Sequence, residues 1–242
     1  MKIAILGSGG REHAIALQIS KSKKLRKLYC IPGNAGTSLI SKNINLKLDS
    51  FNEIYNFLKD KEIDLVIVGP EKPLVDGIVD YLNEKNIKVF GPNQKVSRLE
   101  GSKIFTKKIC EKYNIPTANF GIFKNKEDTF KFLQNRKMPL VIKADGLAAG
   151  KGVYICNDME SSKNAVSEIF NGKFGKADQI LVEEFLEGDE MSYFIISDGL
   201  SYKSFNTAQD HKRVGESDTG KNTGGMGAYS PSKLINHDLE KK

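Results

Sequence analysis

The sequence predicts an α/β protein in which a doubly wound parallel sheet is followed by a region of α+β character. From residue 2 to about residue 90, strand and helix patterns alternate at short intervals, which is typical of a parallel sheet with helices on both faces. Beyond residue 102, strands that pair in hairpins alternate with helices instead. We therefore place a domain boundary near residue 102, between an N-terminal α/β domain of residues 1–102 and a second region of residues 103–242.

The first region contains four predicted strands and three predicted helices. The helices are supported by apolar residues at mostly helical spacing in the first and by Ser50 as an N-cap in the second. The run at residues 63–68 is continuously apolar, as in a buried parallel strand. In chain order, we expect strand 2–6, helix 10–22, strand 27–31, helix 51–61, strand 63–68, helix 74–86 and strand 87–90.

In the second region, Ser102 can cap a helix that extends to residue 113, and Pro116 interrupts the chain after it. Two hairpins are expected, one from strands 140–143 and 153–156 and one from segments 191–196 and 201–205 around Asp198-Gly199. The other expected elements are a strand near Phe120, helices at about 126–137 and 159–170, and strand 180–185. Residues 207–231 show no periodicity, and the residues alone favour disorder there over a functional loop.

Composition indicates a soluble globular protein, since 39% of the 242 residues are hydrophobic and 28% are charged. No apolar run approaches the roughly 20 residues of a membrane span, and MKIAILGSGG at the N-terminus suits a strand and a glycine turn better than a signal peptide. The three cysteines lie far apart in apolar runs without metal-ligand spacing, which favours free buried thiols in a reducing compartment. We expect a cytoplasmic protein without a membrane partner.

The net charge of +7 admits two interpretations. The basic cluster at residues 21–27 could form a nucleic-acid surface or a solvated face. The solvated face is favoured, because the lysines are scattered along the chain and no basic stripe is interleaved with aromatic residues. An anionic small substrate explains the positive charge equally well, so we expect no nucleic-acid partner.

Three glycine-containing loops follow strands of the parallel sheet, and a fourth, GPN, follows the strand that ends at Phe90. Ligands of such sheets bind beyond the carboxyl ends of the strands, and small residues let backbone donors approach them. Tight turns without a ligand would explain one such loop but not three at one edge. The candidate substrate-binding residues in GSGGREH, PGNAGT and GPEKPLV are Gly9, Gly10, Asn34, Ala35, Gly36, Pro70 and Glu71.

The first loop only partly matches a dinucleotide fingerprint. Glu12 occupies the position of the third glycine in GxGxxG, and no acidic residue follows the second strand to bind a ribose. NAD binding is therefore disfavoured.

A second glycine-rich segment, VIKADGLAAGKGVYI at residues 141–155, does not match a Walker A loop. Asp145 stands where the first glycine belongs, Gly152 stands at the hydroxyl position, and the segment connects two strands. A glycine-rich hairpin that folds its backbone over polyphosphate, near Lys143 and Lys151, remains possible. A simple hairpin turn with exposed lysines remains equally open.

Longer motifs resemble one family. GSGGREHA with PGNAGT, LEGSK with IKADGLAAGKGV, and QDHKRVG with DTGKNTGGMGAYSP are similar to the phosphoribosylamine–glycine ligases, which are ATP-grasp enzymes. The resemblance covers essentially the whole chain but only the N-terminal portion of the longer family members. It implies that residues 103–242 form part of an ATP-grasp domain, with a lid subdomain at about 118–190. The C-terminal part of the family fold is expected to be missing.

The resemblance also implies an ATP site. The hairpin from Gly146 to Gly152 would close over the phosphates, with Lys103 and Lys143 as phosphate-contacting lysines. Glu183 would accept from the adenine amine, the backbone near Leu186 would contact the ring edge, and Glu190 would hold the ribose hydroxyls. From the residues alone, Glu183 could equally be a solvated carboxylate. The candidate nucleotide-binding residues are Lys103, Lys143, Gly146, Gly150, Lys151, Gly152, Glu183, Leu186 and Glu190.

The implied reaction joins glycine to 5-phosphoribosylamine through glycyl phosphate, with ATP cleaved to ADP and phosphate. Asp210, Lys212 and Arg213 would act at the reacting groups, and His211 would face the substrate. In the family, the Mg²⁺ ligands lie on strands beyond these residues, so no residue of this chain is named as a metal ligand. We therefore expect a truncated ligase or one half of a split enzyme, inactive without a complementary polypeptide.

Other activities compete with this interpretation. An ATP-grasp carboxylase shares the architecture, although the DHKRVG and GGMGAYSP stretches argue against it. A non-catalytic module that binds nucleotide or ribose phosphate is the alternative from a different class.

Overall fold

The computed structural model of the protein describes residues 1–147, 152–217 and 219–240. The chain divides into two compact units, residues 1–185 and residues 186–242. The domain boundary expected near residue 102 falls inside the first of these units and stays a prediction.

The first unit begins with a five-stranded sheet whose strands are all parallel, in the order β3-β2-β1-β4-β5. Its strands are β1 (Lys2–Gly7), β2 (Lys27–Pro32), β3 (Lys42–Asn43), β4 (Leu65–Val68) and β5 (Val89–Phe90). The helices of this part are α1 (Gly10–Ser20), α2 (Phe51–Asp60), α3 (Glu71–Val75), α4 (Ile78–Asn83) and α5 (Gln94–Gly101), with a 3₁₀ turn at Thr37–Leu39.

Both faces of the parallel sheet are buried, as a doubly wound fold requires. Ala4 and Leu6 of β1 point to one face, where they join a core with Ile54 and Leu58 of α2. The alternate residue Ile5 points to the other face and packs with helix α1. The predicted doubly wound sheet is therefore confirmed.

The structure differs from the prediction for this part of the chain at four points. The helix predicted at residues 74–86 is two helices, α3 and α4, because Gly77 adopts a positive φ of 94° between them. Strand β3 was missed because it is only two residues long and polar, and α5 was also missed. Ser50 is the N-cap residue of α2, but its side chain makes no capping hydrogen bond.

The rest of the first unit is an antiparallel sheet in the order β6-β9-β7-β8, with three helices. Its strands are β6 (Phe120–Phe123), β7 (Leu140–Ala144), β8 (Val153–Cys156) and β9 (Ile180–Glu184), and its helices are α6 (Lys103–Tyr113), α7 (Lys126–Leu133) and α8 (Met159–Phe170). The β7–β8 hairpin and the Ser102 cap of α6, which accepts from Phe105 N at 3.1 Å, are confirmed. The helix predicted to reach residue 137 ends at Leu133.

Alternation along the antiparallel strands separates an apolar face from a polar one. Leu140 and Ile142 of β7 pack with Val182 of β9 in a core that includes residues of α7 and α8. Lys143 and Glu183 belong to the opposite set of positions. This second face carries the candidate site.

The thiols of Cys30 and Cys156 are buried and free, whereas that of Cys110 is partly exposed. Burial raises the pKa of both the Cys30 and the Cys156 thiol.

The second unit contains three two-stranded antiparallel ladders and a short helix. The pairs are β10 (Ile195–Ser197) with β11 (Tyr202–Ser204), β12 (Gln209–Asp210) with β15 (Ala228–Tyr229), and β13 (Arg213–Gly215) with β14 (Thr219–Asn222); α9 spans His237–Glu240. The second predicted hairpin is therefore confirmed, although its strands are shorter. The disorder favoured for residues 207–231 is wrong for the described part, because short polar strands form ladders without any periodicity in the sequence. Among the described residues, no helix has the length and apolar character needed to cross a bilayer.

Candidate functional site

A cavity of about 800 Å³ opens in the first unit against the polar face of the antiparallel sheet. Lys143 of β7 and Leu181 and Glu183 of β9 contribute to its wall, and Val153 of β8 lies beside them. These residues line it together because Lys143 stands opposite both Leu181 and Val153 in the sheet register. Helix α6 adds Lys103, Thr106 and Lys107. The cavity therefore combines apolar side chains with the ammonium groups of four lysines and the carboxylates of three glutamates.

Glu183 is the most buried charged group of this cavity, with 4% of its side chain exposed. Its carboxylate forms ion pairs with two lysines, with Lys107 Nζ at 2.5 Å from Oε1 and with Lys143 Nζ at Oε2. A buried carboxylate is stable when it is paired and hydrogen-bonded. The two ammonium groups supply that compensation.

Lys107 was not predicted as a site residue. Its ammonium donates to Thr117 Oγ1 at 2.6 Å and to the carbonyl oxygen of Ala118 at 3.1 Å, in addition to its pair with Glu183. The sequence held one signal for it, because Lys107 follows Lys103 by four residues on α6, and residues at that spacing share a helix face.

Lys103 connects the start of α6 to the glycine-rich turn. Its ammonium donates to the carbonyl oxygen of Gly146 at 2.8 Å, and burial lowers the pKa of Lys103. Nearby, the Asp145 carboxylate accepts from Ser102 Oγ at 2.9 Å and from Ile104 N at 3.2 Å. The residue that departs from the Walker A pattern thus caps a helix.

The glycine-rich turn is described only at its two ends. Gly146, Leu147 and Gly152 line the cavity. Gly150 and Lys151, both predicted to contact nucleotide, lie outside the described residues. The described ends of the turn therefore line the same cavity as Lys103 and Lys143.

The three loops at the carboxyl edge of the parallel sheet contact one another, as predicted. Asn34 Nδ2 donates to the carbonyl oxygen of Ser8 at 2.8 Å, joining the second loop to the first. Arg11 Nη1 lies 3.0 Å from Glu71 Oε1, joining the first loop to the third. Burial would raise the pKa of Glu71, but hydrogen bonds from its own backbone N–H and from Arg11 bring that pKa below its ordinary value.

Glu12 lies at the centre of these loops and is buried. Its carboxylate accepts from Gly9 N at 2.7 Å and from Arg11 Nε at 3.0 Å. A Cβ atom at Gly7 would lie 2.6 Å from the Glu12 side chain, and one at Gly9 would lie 2.9 Å from it. Gly7 and Gly9 therefore leave space for the Glu12 side chain. Glu12 stands at the position where a dinucleotide fingerprint has its third glycine.

The other predicted loop residues lie at the same edge. A Cβ atom at Gly36 would lie 2.5 Å from His13 Cε1, so this glycine allows close approach of helix α1. Ala35 is exposed beside Asn34, and Gly10 opens α1 with no atom near its Cβ position. Pro70 lines a second cavity of about 430 Å³ together with Ser8 and Pro32, while Glu71 lines the larger one.

The second unit holds the remaining predicted residues. Asp210 ends β12, Arg213 begins β13, and His211 between them donates its backbone N–H to the carbonyl oxygen of Gly227 at 2.9 Å. Lys212 pairs with Glu190, and the hydrogen bond that its ammonium donates to the Glu190 carboxylate raises the pKa of Lys212. Leu186 is exposed. The structure therefore brings Glu190 into contact with the DHKR segment.

Comparison with known proteins assigns this arrangement to a family. Residues 101–242 match the ATP-grasp (A) domain of phosphoribosylglycinamide synthetase, and residues 1–100 match the N domain of the same enzyme. The chain belongs to the phosphoribosylglycinamide synthetase family. The parallel sheet is thus followed by an ATP-grasp domain, as the resemblance implied.

Relatives named phosphoribosylamine–glycine ligase support this assignment. The protein from Mesorhizobium japonicum is 48% identical over 240 residues, and that from Brucella melitensis is 46% identical over 240 residues. Each alignment covers 99% of this chain and 56% of the relative. The chain therefore spans little more than half the length of these curated relatives.

Solved structures show the same fold. The crystal structure of phosphoribosylamine–glycine ligase from Thermotoga maritima superposes with a TM-score of 0.82 at 33% identity, covering 97% of this chain and 56% of that one. The biotin carboxylase domain of 2-oxoglutarate carboxylase from Hydrogenobacter thermophilus, in complex with MgADP and bicarbonate, has a TM-score of 0.69 at 19% identity over 88% of this chain and 50% of that one. At that identity, the second likeness concerns the fold alone.

The described residues do not form a metal centre from side chains alone. Across residues 1–147, 152–217 and 219–240, no group of three or more His, Cys, Asp or Glu side chains is arranged to hold a metal ion. Mg²⁺ that is held by one or two carboxylates and the phosphates of a nucleotide does not require such a group.

Proposed function

We propose that this chain is the N-domain and ATP-grasp portion of a phosphoribosylamine–glycine ligase. The proposed reaction joins glycine to 5-phosphoribosylamine to give glycinamide ribonucleotide, with ATP cleaved to ADP and phosphate. The observation that supports it is the cavity in which Lys103, Lys143 and Glu183 converge, in a chain of the phosphoribosylglycinamide synthetase family. The free thiols suit the cytoplasm as its location.

The cavity offers cationic groups for the phosphates of ATP. Lys103 and Lys143 would contact the phosphates as point charges, under the turn that starts at Gly146 and ends at Gly152. Gly150 and Lys151 would act within the same turn. Glu183, which lines the same cavity, would accept from the amine of adenine. The backbone near Leu186 would contact the ring edge, and the Glu190 carboxylate would hold the ribose.

The reaction needs no enzyme nucleophile. The glycine carboxylate attacks the γ-phosphate, ADP leaves, and the sugar amine then displaces phosphate from glycyl phosphate to form the amide. The protein's part is to orient the reactants and to balance negative charge with fixed cations. Lys103 and Lys143, which both line the cavity, would be two of these cations.

The substrates are assigned to two groups of residues. The loops at Gly9-Gly10, Asn34-Ala35-Gly36 and Pro70-Glu71 would bind the ribose phosphate. Asp210 would hold an ammonium group, and Lys212 and Arg213 would bind anionic groups, with His211 beside them. Because Gly9 N already donates to Glu12, the backbone N–H of Gly10 is the donor of this pair that would meet the phosphate.

Calorimetric titration with ATP and Mg²⁺, with and without glycine, tests the proposal on the chain as it is. Micromolar or tighter binding is expected, and Lys143→Met should weaken it at least about tenfold, since charge-assisted hydrogen bonds are lost. Lys108→Met is the control, because Lys108 is an exposed lysine of α6 that does not line the cavity. Absence of ATP binding by the unmodified chain would overturn the assignment.

Turnover is measured separately, as phosphate release after addition of phosphoribosylamine. A polypeptide that supplies the remaining length of the relatives is added in a parallel reaction. Release that depends on both substrates supports the ligase. ATP binding without release in either reaction would instead support a non-catalytic nucleotide-binding module.

A further inference from the structure

Two lysines pair with the same buried carboxylate but differ in their surroundings. The Lys107 side chain is 10% exposed and that of Lys143 is 27% exposed, while Glu183 between them is 4% exposed. Lys107 comes from helix α6 and Lys143 from strand β7, so two separate elements position the two ammonium groups. One carboxylate thus has one deeply buried and one more accessible counter-ion.

The Lys107 ammonium has no donor to spare. It carries three N–H groups, and its three acceptors are Thr117 Oγ1, the Ala118 carbonyl oxygen and Glu183 Oε1. Its ammonium also lies 5.4 Å from the ring centroid of Phe120, the residue paired with Glu183 across β6 and β9. Lys107 is therefore fixed in one position.

Lys143, unlike Lys107, can change its partner. It contacts the other oxygen of Glu183, lines the cavity, and shares that cavity with Lys103 and the ends of the glycine-rich turn. A lysine ammonium sits on a flexible four-carbon stem and has three freely oriented donors. The Lys143 ammonium can therefore leave the carboxylate and contact a phosphate instead. When it does so, Glu183 Oε2 is released toward the cavity and Oε1 stays on Lys107.

We propose that Lys107 is a positioning residue that selects the base of the bound nucleotide. It holds the Glu183 carboxylate in place after Lys143 turns to the phosphates, so that Oε2 accepts from an amino group on the base. This inference rests on the proposed ATP site and deepens it. An ionised carboxylate only accepts hydrogen bonds, so it favours a base with an amino group at that position and disfavours one with a carbonyl oxygen.

Without Lys107, Lys143 is the one counter-ion left from this pair, and both Glu183 and the nucleotide phosphates compete for its ammonium. Lys143 would then stay on Glu183, or Glu183 would lose the contact that orients its carboxylate toward the base. Either result weakens binding of the amino base more than binding of the carbonyl base. A merely structural lysine would weaken both nucleotides equally.

The test compares ATP with inosine triphosphate, which carries a carbonyl oxygen in place of the amine. Calorimetric dissociation constants of both are measured for the unmodified chain, for Lys107→Met and for the exposed control Lys108→Met. The unmodified chain and the control should prefer ATP at least about tenfold, and Lys107→Met should lower that preference to about threefold or less. Thr117→Val, which removes one acceptor of Lys107 at similar volume, provides a second, milder variant if Lys107→Met does not fold.

The outcomes separate the inference from the function beneath it. ATP binding with an unchanged preference in Lys107→Met and Thr117→Val would overturn the inference and leave the ATP site intact. Loss of preference in either variant, with circular dichroism and the melting temperature retained, supports it. If the unmodified chain binds neither nucleotide, both the proposed function and the inference are wrong.

Discussion

The Glu12 carboxylate lies directly against the backbone of Gly69, in the space that a Cβ atom of residue 69 would occupy. Glu12 belongs to the first loop of the parallel sheet and Gly69 to the third. Because Gly69 has no side chain, the buried Glu12 carboxylate of the first loop can pack against the backbone of the third loop. The same carboxylate accepts from Gly9 N and Arg11 Nε, which limits its freedom to move aside.

Gly69→Ala is expected to destabilise the protein by about 1–3 kcal/mol, the usual cost of overpacking. The methyl group would push Glu12 away from Gly9 N and Arg11, leaving a buried carboxylate less well paired. Urea denaturation measures the change, and Gly10→Ala serves as the control because no atom lies within 4 Å of its Cβ position. Adding Glu12→Ala should remove most of the penalty. Equal penalties with and without Glu12 would contradict the packing argument.

Glu183→Gln should cost more, about 3–5 kcal/mol, because it leaves the Lys107 ammonium buried without its carboxylate. Lys143 loses the same partner but is more exposed and can turn toward water. The double variant Glu183→Gln/Lys107→Met should regain part of the stability, since the stranded charge is removed with its partner. The exposed Glu187→Gln is the control and should change the free energy of unfolding by no more than about 0.5 kcal/mol.

Asp145→Ala is expected to lower stability by about 1 kcal/mol through the loss of a cap on α6. The carboxylate accepts from Ile104 N and from the Ser102 hydroxyl, so its removal leaves donors at the start of that helix unsatisfied. Asp178→Ala offers a matched comparison, because Asp178 makes only an exposed ion pair with Lys176 at 3.4 Å. A thermal unfolding series that ranks the two variants equally would argue against the capping role.

ATP affinity should fall at alkaline pH earlier than an ordinary lysine would predict. Burial lowers the pKa of Lys103, so its ammonium loses the proton, and with it the phosphate contact, before the pH reaches the ordinary lysine value of 10.5. In Lys103→Arg the guanidinium stays charged across this range, and the fall should move to higher pH. Titration of both proteins from pH 7 upward checks this, and superimposable curves would rule out Lys103 as the titrating group.

The fold was largely predictable from local patterns. Apolar runs such as residues 63–68 and the alternation around Lys143 identify buried strands, because burial on one or both faces dictates those patterns. The break at Gly77 was missed, since a single glycine in an apolar helix pattern does not reveal its positive φ. The polar strands β12–β15 were missed because backbone pairing alone forms them.

The site was predicted less completely than the fold. Lys103, Lys143 and Glu183 were named from the family resemblance, and the structure places all three around one cavity. Lys107 was missed because its pairing with Glu183 depends on the approach of α6 to β9, which its four-residue spacing from Lys103 does not reveal. Glu12 was noticed only as a departure from a fingerprint, although its buried carboxylate organises the loops.

The burial of Cys30 and Cys156 makes the chain convenient for fluorescence labelling. Thiolates react with maleimides and thiols do not, so two inaccessible sulphurs with raised pKa values should stay unmodified in the folded protein. Replacing the partly exposed Cys110 with serine would leave a background without reactive positions. A dye attached to a new cysteine at Leu147, at the cavity mouth, could then report nucleotide binding as a change in emission.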